Sequence, residues 1–138
     1  MTVYVDASVL LRRILRQPNS LANWRQIRTG VTSRLSETEG ARTLDRGRIE
    51  AAATDEAVAT AREAYLQAME SFEIVEVTRT VLSRAAQPLS VTLGTLDAIH
   101  LASAVLWRER KRRNIVFATH DGGLALAARA SGLRVIGV

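Results

Sequence analysis

The chain has 138 residues, of which 47% are apolar, and this is enough to form one hydrophobic core, so we expect a single domain over residues 1–138. Cysteine is absent, which excludes a disulfide framework and a thiolate metal site and leaves oxygen or histidine ligands for any metal ion. The net charge of +5 favours an acidic or polyanionic partner over a basic one.

The first half of the chain alternates short apolar runs with helical patterns. We predict a strand at 2–5, a helix at 8–15, a turn at 17–20 and a second helix at 21–27. A strand at 31–33 and two longer helices at 35–46 and 51–69 follow. In the first helix the apolar spacing turns Leu10, Leu11 and Ile14 inward. We expect the second helix, LANWRQI, to end at Gly30.

The second half of the chain repeats this alternation. We predict a strand at 72–77, a short helix from 78 and a loop at Pro88. A long helix at 95–113, a strand at 115–118, a helix at 125–130 and a strand at 133–138 follow. Leu96, Ile99, Ser103 and Leu106 recur at helical intervals, which predicts one long helix.

Short strands that alternate with helices are typical of a parallel sheet covered on both faces, so the predicted fold class is α/β. In such folds, ligand and catalytic groups collect beyond the carboxyl ends of the strands. The opening sequence MTVYVDASVLLRRIL lacks the unbroken apolar span of a signal peptide or a membrane helix, so we expect a cytoplasmic protein without a membrane partner.

Three aspartates stand at strand exits or helix starts. Asp6 follows TVYV directly, Asp121 follows VFATH, and Asp97 opens the long helix. Aspartate is also a favoured cap at the start of a helix, and this explains each residue taken alone. Three converging carboxylates repel each other unless a divalent cation neutralises them or one is protonated, so together they favour a shared metal ion.

Four blocks of the sequence resemble PIN-domain toxins of the VapC type, and they occur in the order found in that family. The blocks are YVDASVLLRRIL, TSRLSETEGART, TLDAIHLASAV and VFATHDGGLALAARASGLRVIGV, which together touch nearly the whole chain. The resemblance implies a PIN-like three-layer α/β/α sandwich around a mostly parallel sheet of four to five short strands.

The resemblance also implies a set of metal-binding and catalytic acids that hold Mg²⁺ or Mn²⁺. These acids are Asp6, Glu39, Asp97 and Asp121. Helical periodicity alone leaves open whether Glu39 or Glu37 points inward, and Glu39 in a solvated pair with Arg42 is the alternative interpretation. The family pattern of a serine, a glutamate six residues on and an arginine three later selects Ser33, Glu39 and Arg42.

Further residues around these acids are predicted to bind substrate. Ser8 and Thr119 each lie two residues from an aspartate, so their hydroxyls can bind a phosphate oxygen or a metal-bound water, or simply the local backbone.

Among the arginines, those nearest the predicted site are Arg12, Arg13, Arg34 and Arg42, and we expect them to guide substrate. The basic run Arg108 to Arg113 lies too far along its helix to reach the scissile phosphate. His100 and His120 make a zinc site conceivable, but an acid-lined site favours magnesium or manganese.

The implied function is that of a Mg²⁺- or Mn²⁺-dependent endoribonuclease that cleaves RNA with metal-activated water. The resemblance also implies a homodimer and a VapB-like antitoxin as partner. A basic chain and an apolar groove near Trp24 are suited to bind such an antitoxin. The main alternative is a non-catalytic PIN-like scaffold that binds RNA or protein. A phosphoacceptor signalling domain is disfavoured, because Thr78 stands where it needs an aspartate and no late lysine follows.

Overall fold

The computed structural model describes residues 1–51 and 53–138. Its strands are β1 (Thr2–Val5), β2 (Thr29–Ser33), β3 (Glu73–Val75), β4 (Val116–Ala118) and β5 (Arg134–Ile136). Its α-helices are α1 (Ala7–Ile14), α2 (Leu35–Ala51), α3 (Asp55–Met69), α4 (Arg79–Ala85), α5 (Thr95–Lys111) and α6 (Gly122–Ala130). No helix within these described residues combines the length and the apolar character that a membrane crossing requires.

The strands form one sheet in the order β3-β2-β1-β4-β5, and each of these neighbouring pairs is parallel. Strand β1 is central, because Val3 lies opposite Gly30 of β2 on one side and Val116 of β4 on the other. The chain leaves β1 towards β2 and returns through β4 on its other side, so a crevice opens beyond the carboxyl ends of β1 and β4.

Alternate residues of β1 enter two different cores. Val3 and Val5 pack with α1 and with Tyr65 of α3, whereas Tyr4 packs with α5 and α6 through residues such as Leu101 and Leu124. Helix α4 lies on the outer side of α5 around Val81. The sheet is therefore covered on both faces, and the predicted three-layer α/β/α fold is confirmed.

The second predicted helix is the main local error. The segment forms a short 3₁₀ helix, Ala22–Gln26, and Gly30 lies within β2 instead of ending a helix. The Leu21 cap supplies no side-chain hydrogen bond, and the backbone is already extended at Ile27, so the helix stops early. A Cβ atom at Gly30 would lie 2.6 Å from the Phe72 ring, which explains a glycine in this strand.

Other differences lie at the ends of elements. Helix α6 begins at Gly122, three residues before its predicted start, because the Asp121 side chain accepts a hydrogen bond from the backbone N–H of Leu124. Helix α5 ends at Lys111, where Arg112 takes the left-handed conformation with φ of 50°. Helix α2 continues to Ala51, and residue 52 of the helix predicted over 51–69 lies outside the described residues.

Candidate active site

The four predicted acids lie on the side of the sheet where the parallel strands end, here called the acidic edge. Asp6 caps α1 directly after β1, and Asp121 caps α6 two residues after Thr119, just beyond β4. Glu39 lies near the start of α2, which follows β2. Helix α5 ends beside the start of β4, so its first turn, with Asp97, lies at the opposite, acidic edge.

Asp6 is held rigidly by neutral donors. Its side chain is buried, and Oδ1 accepts hydrogen bonds from the Val9 backbone N–H at 3.0 Å and the Ser8 hydroxyl at 2.6 Å. Its Oδ2 accepts a hydrogen bond from the Thr119 hydroxyl at 2.5 Å. Thr119 Oγ1 also accepts from the backbone N–H of Asp121 at 3.0 Å, so this one hydroxyl joins the exits of β1 and β4.

Glu39 points towards the acidic edge, whereas Glu37 points to the surface. Glu37 forms an ion pair with Arg34 at 2.9 Å, and both side chains are well exposed. Glu39 Oε1 accepts a short hydrogen bond from Nε2 of His100, one turn beyond Asp97 on α5. The alternative in which Glu39 pairs with Arg42 on a solvated surface does not match this geometry.

His100 continues this contact into the core. It is 2% exposed, and its Nδ1 lies 2.7 Å from the hydroxyl of Tyr4, which is completely buried. Sequence reasoning considered His100 only as a disfavoured zinc ligand and did not single out Tyr4. The sequence signals for a functional role were that His100 lies one turn after Asp97 and that Tyr4 lies two residues before Asp6. A residue of the hydrophobic core is expected equally at either position.

The pKa of Asp97 is raised, first by burial and then by the negative charge of Asp121. The charges of Asp6 and Glu39 raise this pKa further, and His100 opposes them. Burial, together with the charge of Asp6, also raises the pKa of the Tyr4 hydroxyl. The acids from four separate segments therefore interact electrostatically at one edge of the sheet.

The donor set at the acidic edge fits a hard divalent cation, because its atoms are carboxylate oxygens. Among the described residues, no hydrogen bond reaches the Asp97 carboxylate, and the backbone N–H of Leu124 binds only Oδ1 of Asp121, at 2.7 Å. No three His, Asp or Glu side chains in the described part of the chain stand close enough to share one ion as they lie. Like charges keep such side chains apart until a cation neutralises them.

The sequence matches the family model described as PIN domain over residues 3–130. The chain belongs to the PIN-domain family. It is 31% identical over 134 residues to "Ribonuclease VapC47" of Mycobacterium tuberculosis strain CDC 1551 / Oshkosh, covering 94% of this chain and 92% of that protein. It is 33% identical over 138 residues to "Ribonuclease VapC46" of strain ATCC 25618 / H37Rv, covering 97% and 95%. The VapC-type resemblance is thereby confirmed.

Two solved structures share the fold of this PIN domain. A "Toxin-antitoxin complex from Klebsiella pneumoniae" gives a TM-score of 0.69 at 15% identity and covers 97% of this chain and 95% of that one. The "Crystal structure of PAE2754 from Pyrobaculum aerophilum" gives 0.57 at 20% identity and covers 98% and 92%. At these identities the likeness shows the fold alone.

The hydroxyl groups predicted to bind substrate both turn to Asp6 in this PIN domain. Ser8 and Thr119 each donate to one oxygen of that carboxylate, so they fix its orientation. This geometry differs from the alternative in which the hydroxyls bind only local backbone.

The predicted substrate arginines do not contact the four acids within the described structure. Arg12 is half-buried and Arg42 exposed, and neither side chain forms a hydrogen bond or ion pair with the described residues. The Arg13 guanidinium lies 5.7 Å from the centre of the Trp24 ring, and Trp24 itself packs against the core. Arg34 binds Glu37 and also Glu76, at 2.7 Å.

Part of the basic run on α5 has structural partners at the far edge of the sheet. Arg108 donates to the carbonyl oxygens of Ser131 and Gly132 at 3.1 Å, just beyond α6. Lys111 forms an ion pair with Glu73 of the edge strand β3 at 2.9 Å. These contacts agree with the prediction that the run lies away from the acids.

Proposed function

We propose that this PIN domain is a Mg²⁺- or Mn²⁺-dependent endoribonuclease and the toxin of a toxin–antitoxin pair. The observation that carries the proposal is the hydrogen bonding at the acidic edge, where the Thr119 hydroxyl joins Asp6 to the backbone of Asp121 and Glu39 binds His100, one turn beyond Asp97. The pKa of Asp97, raised by burial and then by the charges of the other acids, agrees with this arrangement. The ribonuclease names of the two mycobacterial relatives, which align over nearly their whole length, support the choice of RNA.

In this proposal the four acids hold the divalent cation. When bound, the ion supplies activated water and neutralises the charge that develops on the phosphate during hydrolysis. Asp6 contributes a carboxylate already fixed by Val9, Ser8 and Thr119. Asp97 contributes a carboxylate without a competing hydrogen bond from the described residues, so it is free to turn towards the ion.

Cleavage of a fluorescent RNA of mixed sequence tests this function. We expect cleavage with Mg²⁺ or Mn²⁺ and none with EDTA, and at least a hundredfold loss of rate in Asp6→Asn and Glu39→Gln. Asparagine is a helix cap as good as aspartate, so the first variant keeps the start of α1.

Glu37→Gln is the matched control for Glu39→Gln. It removes the same type of charge two residues away on the same helix, but only breaks an exposed pair with Arg34, so we expect nearly full activity. A folded wild-type protein that binds the RNA but never cleaves it would instead support the non-catalytic scaffold.

The proposed partner is a VapB-like antitoxin that covers the acidic edge in the cytoplasm, and the proposed assembly is a homodimer of single-domain chains spanning residues 1–138. The positive net charge supports an acidic or mixed-charge partner segment. Expression of the chain alone should arrest growth, and co-expression of a small protein encoded beside it should restore growth. Sedimentation of the purified chain tests the dimer.

A further inference from the structure

We propose that Tyr4 and His100 are positioning residues that hold the Glu39 carboxylate at the acidic edge, with one oxygen bound and the other open to a divalent cation. This inference rests on the proposed function, because it takes Glu39 as a ligand of the ion. It assigns a role to two buried side chains that the set of four acids leaves unexplained.

The hydrogen-bond chain crosses three elements. It runs from Tyr4 in the central strand β1, through His100 of α5, to Glu39 of α2. The Tyr4 ring stacks on Phe117 of β4, with ring centroids 5.1 Å apart and planes within 12°, so its hydroxyl has little freedom. The His100 ring meets the Tyr4 ring edge-on at 5.9 Å. Packing therefore fixes two of the three members before any ion binds.

The direction of these hydrogen bonds, from donor to acceptor, follows from the chemistry of the Glu39 carboxylate. An ionised carboxylate only accepts hydrogen bonds, so Nε2 of His100 carries the proton that Glu39 receives. In a ring that carries a proton on Nε2 alone, Nδ1 accepts the hydrogen bond from the Tyr4 hydroxyl. The carboxylate therefore selects the ring tautomer, and the Tyr4 hydroxyl, which can donate or accept, fixes the orientation of the ring from the other side.

Glu39 gains the most from such a restraint. A glutamate has several rotatable bonds, and ordering them when an ion binds costs entropy. Oε1 is taken by His100, while Oε2 accepts no hydrogen bond from the described residues. His100 is 2% exposed and lies behind Glu39, so it acts through that side chain and does not touch substrate.

The test measures Mn²⁺ binding by calorimetry in the full chain. Tyr4→Phe removes only the hydroxyl and keeps the stacked ring, and His100→Gln keeps one nitrogen donor for Glu39. We expect the Mn²⁺ dissociation constant of Tyr4→Phe to rise about tenfold, the range seen when outer partners of metal ligands are lost. We expect His100→Gln to recover part of the affinity that His100→Ala loses.

Tyr65→Phe is the matched control. Tyr65 is equally buried, and its hydroxyl donates to the Ser36 carbonyl oxygen at 2.5 Å instead of to a member of the Tyr4–His100–Glu39 series. It loses the same atom and a comparable hydrogen bond, so its Mn²⁺ affinity should stay within twofold of the wild type. An equal loss of affinity in both tyrosine variants would show a general packing effect and overturn the proposal.

A double variant separates positioning through Glu39 from any other effect. In a Glu39→Gln background, Tyr4→Phe should weaken Mn²⁺ binding no further, and a second tenfold loss there overturns the proposal.

Nitrogen NMR of the His100 ring should show the proton on Nε2, and a proton on Nδ1 alone also overturns it. If the wild type cleaves RNA and binds Mn²⁺, and Tyr4→Phe binds Mn²⁺ equally well, only the positioning role is refuted. If the wild type binds no Mn²⁺, the proposed function itself is refuted.

Discussion

At the scale of single residues, hydroxyl, backbone amide and imidazole donors hold three of the four acids at the acidic edge. Asp6 accepts from two hydroxyls and a backbone amide, Asp121 from the backbone N–H of Leu124, and Glu39 from His100. Within the described residues, no lysine or arginine forms an ion pair with any of the four acids. Arg34, Arg84 and Lys111 pair with other carboxylates, so within the described residues the charge of the four acids is left available to a divalent ion.

The negative charge of Asp97 should lower the stability of the folded protein when no metal ion is bound. Because its pKa is higher in the folded protein than the ordinary value of 3.8, the folded state binds the proton more tightly and loses stability as pH rises through that window. At neutral pH without metal, Asp97→Asn should therefore melt a few degrees higher than the wild type. Near about pH 4 the difference should shrink.

Thermal unfolding in EDTA and in Mn²⁺ checks this expectation. In Mn²⁺ the order should reverse, because the wild type gains stability from ion binding and the variant gains less. Equal melting temperatures at neutral pH in EDTA would show that Asp97 does not experience the repulsion.

Residue identity at the edge follows from the sequence only in part. Asp6 and Asp121 were predictable because Asp6 directly follows TVYV and Asp121 follows VFATH, and a parallel sheet brings such exits together. Helical periodicity did not decide between Glu39 and Glu37, and the resemblance to VapC-type toxins selected Glu39. The contact of Glu39 with His100 was not predictable, since it depends on how α2 packs beside α5. Local periodicity carries no information about that packing.

At the scale of elements, helix α2 shows how a position in the fold overrides helix propensity. Both Gly40 and Gly47 lie inside this helix. A Cβ at Gly40 would collide with the Tyr65 ring of α3, while no atom of the described residues lies within 4 Å of a Cβ at Gly47. The close approach of α2 and α3 therefore depends on the first glycine and not on the second.

Alanine at these two glycines should change stability in opposite directions. Gly40→Ala should destabilise the protein by about 1–3 kcal/mol, because the Tyr65 ring must move out of a packed core. Gly47→Ala should stabilise it by about 0.5–1 kcal/mol through helix propensity. Urea unfolding measures both free energies, and a stabilising Gly40→Ala would contradict the packing described here.

The elements most easily predicted from sequence were those with one clear period. The run before Asp6 and the spacing from Leu96 to Leu106 correctly predicted β1 and α5. The helix expected up to Gly30 failed, because Gly30 serves contact with the distant Phe72, not helix termination. Such long-range contacts are invisible to a reading along the chain.

At the scale of the whole molecule, the acids and the basic run on α5 lie at opposite edges of the sheet. At a rise of 1.5 Å per residue, Asp97 lies about 16 Å from Arg108 and about 21 Å from Lys111 along α5, compared with a screening length of about 10 Å in 0.1 M salt. Charges beside the acids should therefore govern the capture of RNA, and those at the far edge should contribute little.

Arginine-to-glutamine variants at the two edges test this separation. Arg42→Gln, three residues after Glu39, should raise KM for RNA several-fold with little change in kcat, and the effect should fade as salt is added. Arg113→Gln, beyond the end of α5, is the matched control and should leave KM nearly unchanged. Steady-state kinetics at two salt concentrations gives the comparison, and an equal rise in both variants would refute it.

The central place of β1 also constrains how the protein is made. Strand β1 and Asp6 are synthesised before their partners, because strand β4 and the Thr119 hydroxyl that donates to Asp6 come more than a hundred positions later in the chain. No nascent chain that stops short of Asp121 can contain the complete set of four acids. In the proposed function, a half-made toxin is therefore harmless to the cell that is translating it.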